Sequence, residues 1–285
     1  MNLQHPDNID EFMSWTPPLV QSMIGNGILD YQARLVIFGK YKSWKSMIAM
    51  HTAFCISTGS LWFGHLTTKV PVLVIQVEVS KSNYQKRAKK YYRSYNIKYE
   101  NPNYLHIVSQ PYGFRFDQTY DLDRLDKWIS RQRDLCKLKQ NDPQVIIIDP
   151  LYKCFGGNTN DPHEVNKFLT NLDFLMLKHG CSFIVIHHER KSVIIQSGLL
   201  DTGAENAGGA VRIIDWCDGA VELVLKEDNK VQAKVKATFM AMRNTEEFLE
   251  PIVIRCIKSN LSFIPVSDTL DISPVPIVES SEEDV

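Results

Sequence analysis

Gly39, Lys45 and Ser46 stand in the G-x4-x-K-S spacing of a phosphate-binding loop. In such a loop, successive backbone N–H groups and the N-terminus of the following helix converge on phosphate oxygens. The lysine reaches the terminal phosphates and the hydroxyl helps to hold Mg²⁺. The run Gly39, Lys40, Tyr41, Lys42, Ser43, Trp44, Lys45, Ser46 departs from the pattern once, because Trp44 stands where a second glycine is usual. A glycine there allows a tight backbone without a Cβ. Trp44 must therefore either tolerate that geometry or distort the loop, and its indole could also stack outward over a base or against a neighbouring subunit.

A second chemical element lies far downstream. Val145-Ile146-Ile147-Ile148-Asp149 is an apolar run ending in a carboxylate. At the carboxyl edge of an open α/β sheet, Asp149 would hold the water shell of a Mg²⁺ ion. Alone, Asp149 before Pro150 has a simpler reading as a turn or helix cap, the less favoured of the two. Paired with the loop, it favours a nucleoside triphosphatase.

These groups need a scaffold, and the apolar pattern supplies one. Strands are predicted at Leu35–Phe38, Val70–Val77, Leu105–Val108, Val145–Ile148 and Phe183–Ile186, with helical spacing over Lys45–Thr58, Ser82–Tyr95, Asp121–Lys139 and Glu164–His179. Such alternation predicts a mostly parallel sheet with helices on both faces. From Ala220 the pattern changes to Val221–Leu225, Val231–Phe239 and Ile252–Ile257 separated by polar turns, which predicts antiparallel strands extending the same sheet.

Composition sets the bounds. At 285 residues and 44% hydrophobic content, the chain can bury a large core without cross-links. Its six cysteines include no C-x-x-C pair, which argues against a zinc site or a secreted disulfide framework and fits a reducing cytoplasm. A polar, acidic start over Met1–Glu11 and the lack of any long apolar stretch predict a soluble cytoplasmic protein with no membrane segment. Ser267–Val285 carries Asp268, Asp271, Glu279, Glu282, Glu283 and Asp284 with no Lys or Arg. Of 32 basic and 33 acidic residues, that leaves 32 basic and 27 acidic in the body, a net +5 compatible with nucleic acid. The final stretch, with Pro265, Pro274 and Pro276 and this acidic end, is expected to be disordered, the acidic tail serving solubility or recruiting replication partners.

With these motifs in order, the chain resembles the RecA-like P-loop ATPases, and among them the RepA-type hexameric replicative helicases and their phage and plasmid relatives. The resemblance runs from about Leu19 to Ile264. It is carried by Gly39–Ser46, by Glu78 with Arg87 nine residues later, by Asp149-Pro150-Leu151, and by His187-His188 followed by Glu189-Arg190-Lys191. It implies an N-terminal segment over 1–18, a RecA-like ATPase domain over 19–265 and an acidic tail over 266–285.

The resemblance assigns the polarisation of the attacking water to Glu78. It makes His187 or His188 a sensor of the γ-phosphate, with the other packed away. It gives ATP and Mg²⁺ as cofactors, with Ser46 and Asp149 at the metal, and it places DNA-facing loops at Cys154–His163 and Glu189–Gly209, where Arg190 and Lys191 would meet DNA. An arginine finger reaching a neighbouring subunit's nucleotide would be Arg212 or Arg243. The stretch Gly208–Asp215 lacks an arginine at the more usual places.

The cations Lys81, Lys86, Arg87, Lys89, Lys90 and Arg93 alternate with Tyr84, Tyr91, Tyr92 and Tyr95 on one predicted helix. They could grip a single strand, although a solvated basic face with its tyrosines turned to the core is the simpler expectation.

Together these readings predict an Mg²⁺-dependent ATPase that binds or moves on single-stranded DNA as a ring, most simply a hexameric DNA helicase. The alternatives are a recombinase-like or regulatory DNA-binding ATPase that does not unwind, and an interaction protein with weakened hydrolysis.

Overall fold

The computed structural model describes residues 8–14, 22–110, 112–158, 161–188, 208–245 and 247–266. In chain order the elements are α1 (Ile9–Ser14), the short hairpin β1 (Ser22–Ile24) and β2 (Leu29–Asp30), β3 (Arg34–Gly39), α2 (Lys45–Thr58), β4 (Val72–Gln76), α3 (Lys81–Ser94) and β5 (Leu105–Ser109). They continue as α4 (Thr119–Cys136), β6 (Gln144–Asp149), α5 (Pro162–His179), β7 (Cys181–His188), α6 (Gly208–Trp216), β8 (Gly219–Asp228), β9 (Gln232–Met240), β10 (Ile252–Ile257) and β11 (Phe263–Val266).

Nine strands form one sheet in the order β11-β10-β9-β8-β3-β7-β6-β4-β5. From β8 to β5 all pairings are parallel. Beyond β8 they are antiparallel, as the change of pattern after Ala220 predicts. β7 lies between β3 and β6. The register sets Gly39 opposite His188, Ile148 opposite Val185 and Gln76 opposite Asp149, so the carboxyl ends of four strands meet at one edge.

The apolar runs are continuous because both sheet faces are covered. Side chains alternate between two cores. Leu35, Ile37, Val145, Ile147, Ile184 and Ile186 enter the core shared with α2, while Val36, Phe38, Ile146, Ile148, Phe183 and Val185 enter the core shared with α4 and α5. α5 starts on an Asp161 cap that accepts from the His163 and Glu164 N–H groups, with Pro162 in its first turn. It stops at Gly180, whose φ of +64° is the left-handed cap that glycine adopts readily.

The expected tyrosine orientation holds for Tyr84 and Tyr91, which are buried in the α2-side core. All six cysteines are free thiols. Two corrections concern the C-terminal region. Pro265, expected in the final disordered stretch, sits in β11, where the outermost strand position removes the need for its missing N–H on one side. Gly208 and Gly209, expected at the end of the loop Glu189–Gly209, instead open helix α6. The tail beyond Val266 lies outside the described residues.

β11 places Phe263 over α2, where His51, Tyr91, Tyr95 and Phe63 gather. His51 Nδ1 lies 2.6 Å from the Tyr91 hydroxyl, and burial pushes its pKa down to about 3. Because the folded value lies below the unfolded 6.5, the unfolded chain takes up the proton first as pH falls. The stability from keeping His51 neutral is present above 6.5 and is lost as pH drops toward 3. Urea unfolding should show a loss of about 2 kcal/mol from this ring between neutrality and about pH 5. His51→Phe, which cannot titrate, should flatten the profile by that amount, and identical profiles for the two proteins would refute the assignment.

Candidate nucleotide site

The loop between β3 and α2 opens at Gly39, with φ +152°, and a Cβ built there would lie 2.3 Å from the Leu223 carbonyl oxygen. Only glycine fits this approach to β8. Lys42 and Trp44 take left-handed conformations at φ +63° and +66°. Trp44 is the N-cap of α2 and makes no side-chain capping hydrogen bond, which leaves the first helical N–H groups to other acceptors.

Of the two possibilities for Trp44, the geometry shows tolerance: a tryptophan adopts the backbone that the usual glycine would. The outward-stacking indole is not what the fold contains. The Trp44 ring is partly buried against the core and meets Phe263 edge-on, with centroids 6.4 Å apart. That contact offsets a left-handed cost of about 1–2 kcal/mol.

Lys45 is buried, and its Nζ donates to the Gly39 carbonyl at 2.8 Å, the Lys40 carbonyl at 2.6 Å and Ser43 Oγ at 3.2 Å. The ammonium is thus held against the loop's own oxygens. Lys40, Tyr41 and Lys42 form the exposed rim, with Lys42 Nζ 5.6 Å from the Tyr41 ring centroid.

Ser46 Oγ donates to Asp149 Oδ1 at 3.0 Å across 103 residues of chain. Asp149 is 2% exposed, and burial pushes its pKa up to about 7. The Ser46 hydrogen bond opposes the rise, Glu78 adds to it, and Lys45 and Arg87 oppose it. A buried carboxylate this short of positive charge, beside a hydroxyl, fits a hard divalent cation with oxygen ligands. Among the described residues no three His, Cys, Asp or Glu converge as a metal cage. The donor set therefore suits Mg²⁺ that takes most of its ligands from phosphates and water.

Glu78 lies two residues beyond β4, not at its last paired residue. Its Oε2 is 3.9 Å from His188 Nε2. His188 also meets the Tyr152 ring edge-on at 5.5 Å. Its pKa is lowered by burial and further by Lys45 and Lys153, while Glu78 raises it. His188 lies opposite Gly39, whereas His187 lies opposite Phe38 with the parity of Val185, on the other face. Of the two histidines, His188 is the one gathered with Glu78.

Arg87 on α3, expected only as a marker of the family resemblance, acts electrostatically on Asp149. The finger candidates do not join this group. Arg212 donates to Asn166 Oδ1 at 3.3 Å. Arg243 donates to the Asp215 carbonyl at 2.8 Å and lies 4.0 Å from Asp218. Asp218 also holds Arg34, at the opposite end of β3 from Gly39. Arg190 and Lys191 lie outside the described residues, as do 159–160 in the first of the expected DNA-facing loops.

If Trp44 carries left-handed strain, its replacements should rank against ordinary helix preference. Trp44→Gly should unfold in urea with about 1 kcal/mol more stability than Trp44→Ala. Equal stability, or an advantage for alanine, would contradict the backbone assignment.

A family model described as an AAA domain matches residues 2–193. No curated protein matches the chain in sequence. Among solved structures, a KaiC-like protein from Pyrococcus horikoshii OT3 is similar at 15% identity and a TM-score of 0.53, covering 86% of this chain and 94% of its own. A second solved structure, itself an ATPase domain, aligns at 12% identity and a TM-score of 0.56, covering 83% and 85%. The flagellar accessory protein FlaH from Methanocaldococcus jannaschii aligns at 11% identity and a TM-score of 0.50, covering 82% and 89%. No helix among the described residues is long and apolar enough to cross a membrane. With this sheet order, this loop and this family match, the chain belongs to the AAA domain family and is a P-loop ATPase of RecA-like fold.

Proposed function

We propose that the chain hydrolyses ATP at the Gly39–Ser46 loop and couples hydrolysis to single-stranded DNA as a self-associating ring. The observation that carries the catalytic part is the convergence of Lys45, Ser46, Asp149, Glu78 and His188 at one sheet edge. The triphosphate draws the Lys45 ammonium from the loop carbonyls to its own oxygens, and the uncapped α2 N–H groups complete the cradle. Ser46 and Asp149 would hold Mg²⁺, which when bound would supply neutralisation of phosphate charge.

Glu78 orients the attacking water and accepts its proton as the oxygen bonds to the γ-phosphorus and the β–γ bridge bond breaks, releasing ADP and phosphate. His188, beside Glu78 and of lowered proton affinity, is the neutral partner that reports the γ-phosphate to β7 and the segment after it. Coupling to DNA is supported by the net +5 body and by the resemblance to ring helicases. In this reading Arg243 or Arg212 serves the neighbouring subunit's nucleotide, consistent with neither joining its own site.

Glu78→Gln should keep ATP affinity while lowering turnover by about 10²-fold or more. Single-stranded DNA should raise the parent's turnover, and ATP should shift its mass in solution to that of a ring. Unaltered turnover in Glu78→Gln would remove the water-activating role, and an unstimulated monomer would remove the DNA-coupled ring.

A further inference from the structure

α3 carries six Lys or Arg residues and no Asp or Glu. A solvated helix ordinarily interleaves acids, because like charges three and four residues apart repel by a few tenths of a kcal/mol per pair. Here Lys86, Lys89, Lys90 and Arg93 keep that repulsion along one face. They line a cleft of about 510 Å³ whose other side includes Ser259 and Asn260, in the turn joining β10 to β11. None of the four forms an ion pair with a carboxylate among the described residues. The neighbouring Lys258, by contrast, is neutralised by Asp228.

The cleft is built rather than incidental, because both walls are fixed. Tyr84 and Tyr91 are buried on the inner side of α3 and hold its cationic face outward. Lys90 Nζ donates to the Lys258 carbonyl at 2.7 Å, Tyr95 donates to the Phe263 carbonyl at 3.2 Å, and the Phe263 N–H donates to the Tyr95 hydroxyl at 2.7 Å. These bonds tie the turn to the helix. No residue of the phosphate loop, nor Glu78, Asp149 or His188, lines the cleft.

We propose that this cleft binds the phosphodiester backbone of a single nucleic-acid strand, as a contact separate from the nucleotide site. Cations about one helical turn apart, ~5 Å, present a ladder of point charges to successive phosphates, and Ser259 and Asn260 add neutral donors. The cleft is too large for one inorganic anion, and the residues that line it are all polar or cationic, with no aromatic or aliphatic residue of the kind that selects a small molecule. The inference rests on the reading of the protein as a nucleic-acid-coupled ATPase, and the two fail separately.

The test uses the full chain and a Lys86→Gln, Lys89→Gln, Arg93→Gln variant, which spares the structural Lys90 bond. Fluorescence anisotropy with labelled oligo-dT and oligo-U would be followed over a range of salt. The parent should bind, and the tighter of the two strands identifies the ligand as DNA or RNA. The variant should lose about tenfold or more in affinity at moderate salt, and its slope of log K against log salt should shrink by about 2. Its ATP turnover without nucleic acid should match the parent's, which shows that it is folded.

Equal affinity and slope in the variant would overturn the cleft assignment while leaving nucleic-acid coupling intact. Binding of neither strand by the parent would overturn the coupling as well. A peptide of residues 267–285 that binds the parent but not the variant, with strand binding unaltered, would give the cleft to the chain's own acidic tail and overturn the proposal.

Discussion

The hydrogen bond from Ser46 to Asp149 joins two segments 103 residues apart, and the candidate nucleotide site is organised around it. It forms because β7 lies between β3 and β6 in a common parallel register, so the P-loop and the acid strand end at the same sheet edge with one strand's width between them. That spacing sets a hydroxyl and a carboxylate side by side, the two groups that would hold a cation. It also brings the end of β7, with His188, between the phosphate cradle and Glu78. A shift of one residue in any of these pairings would turn Asp149 or His188 to the opposite face.

Burial gives the arrangement its electrostatic character. Asp149, enclosed at the edge of two cores, is pushed up toward neutrality, while His188 is pushed down by burial and by the same Lys45 that opposes the rise at Asp149. The site is therefore short of positive charge at Asp149. In the proposed reading a phosphate–cation pair would satisfy both needs at once, the anion drawing on Lys45 and the α2 N–H groups and the cation serving Asp149.

Much of this was legible in the sequence. β3, β4, β6 and β7 read as apolar runs because both faces are covered, and Gly39 after the first and Glu78, Asp149 and His187-His188 after the others marked the candidate edge. Less legible were features set by single backbone angles or distant contacts. Trp44 looks like a damaged cradle until its left-handed backbone and its Phe263 contact are seen, and neither follows from local pattern. β11 was hidden by Pro265, which only an outermost strand accommodates. Which histidine faces the site followed only from the register of β3 with β7. The influence of Arg87 on Asp149 depends on how α3 packs, a fact that its basic sequence alone does not carry.

The central claim is that one phosphate cradle, built on Lys45 and closed by Ser46 and Asp149, binds ATP. Calorimetric titration of the parent and of Lys45→Ala with ATP, each with and without Mg²⁺, tests it most directly. The account predicts Mg²⁺-strengthened binding by the parent and loss of about tenfold or more in affinity in the variant. Equal affinity in the two proteins, or binding by the parent that is indifferent to Mg²⁺, would contradict it.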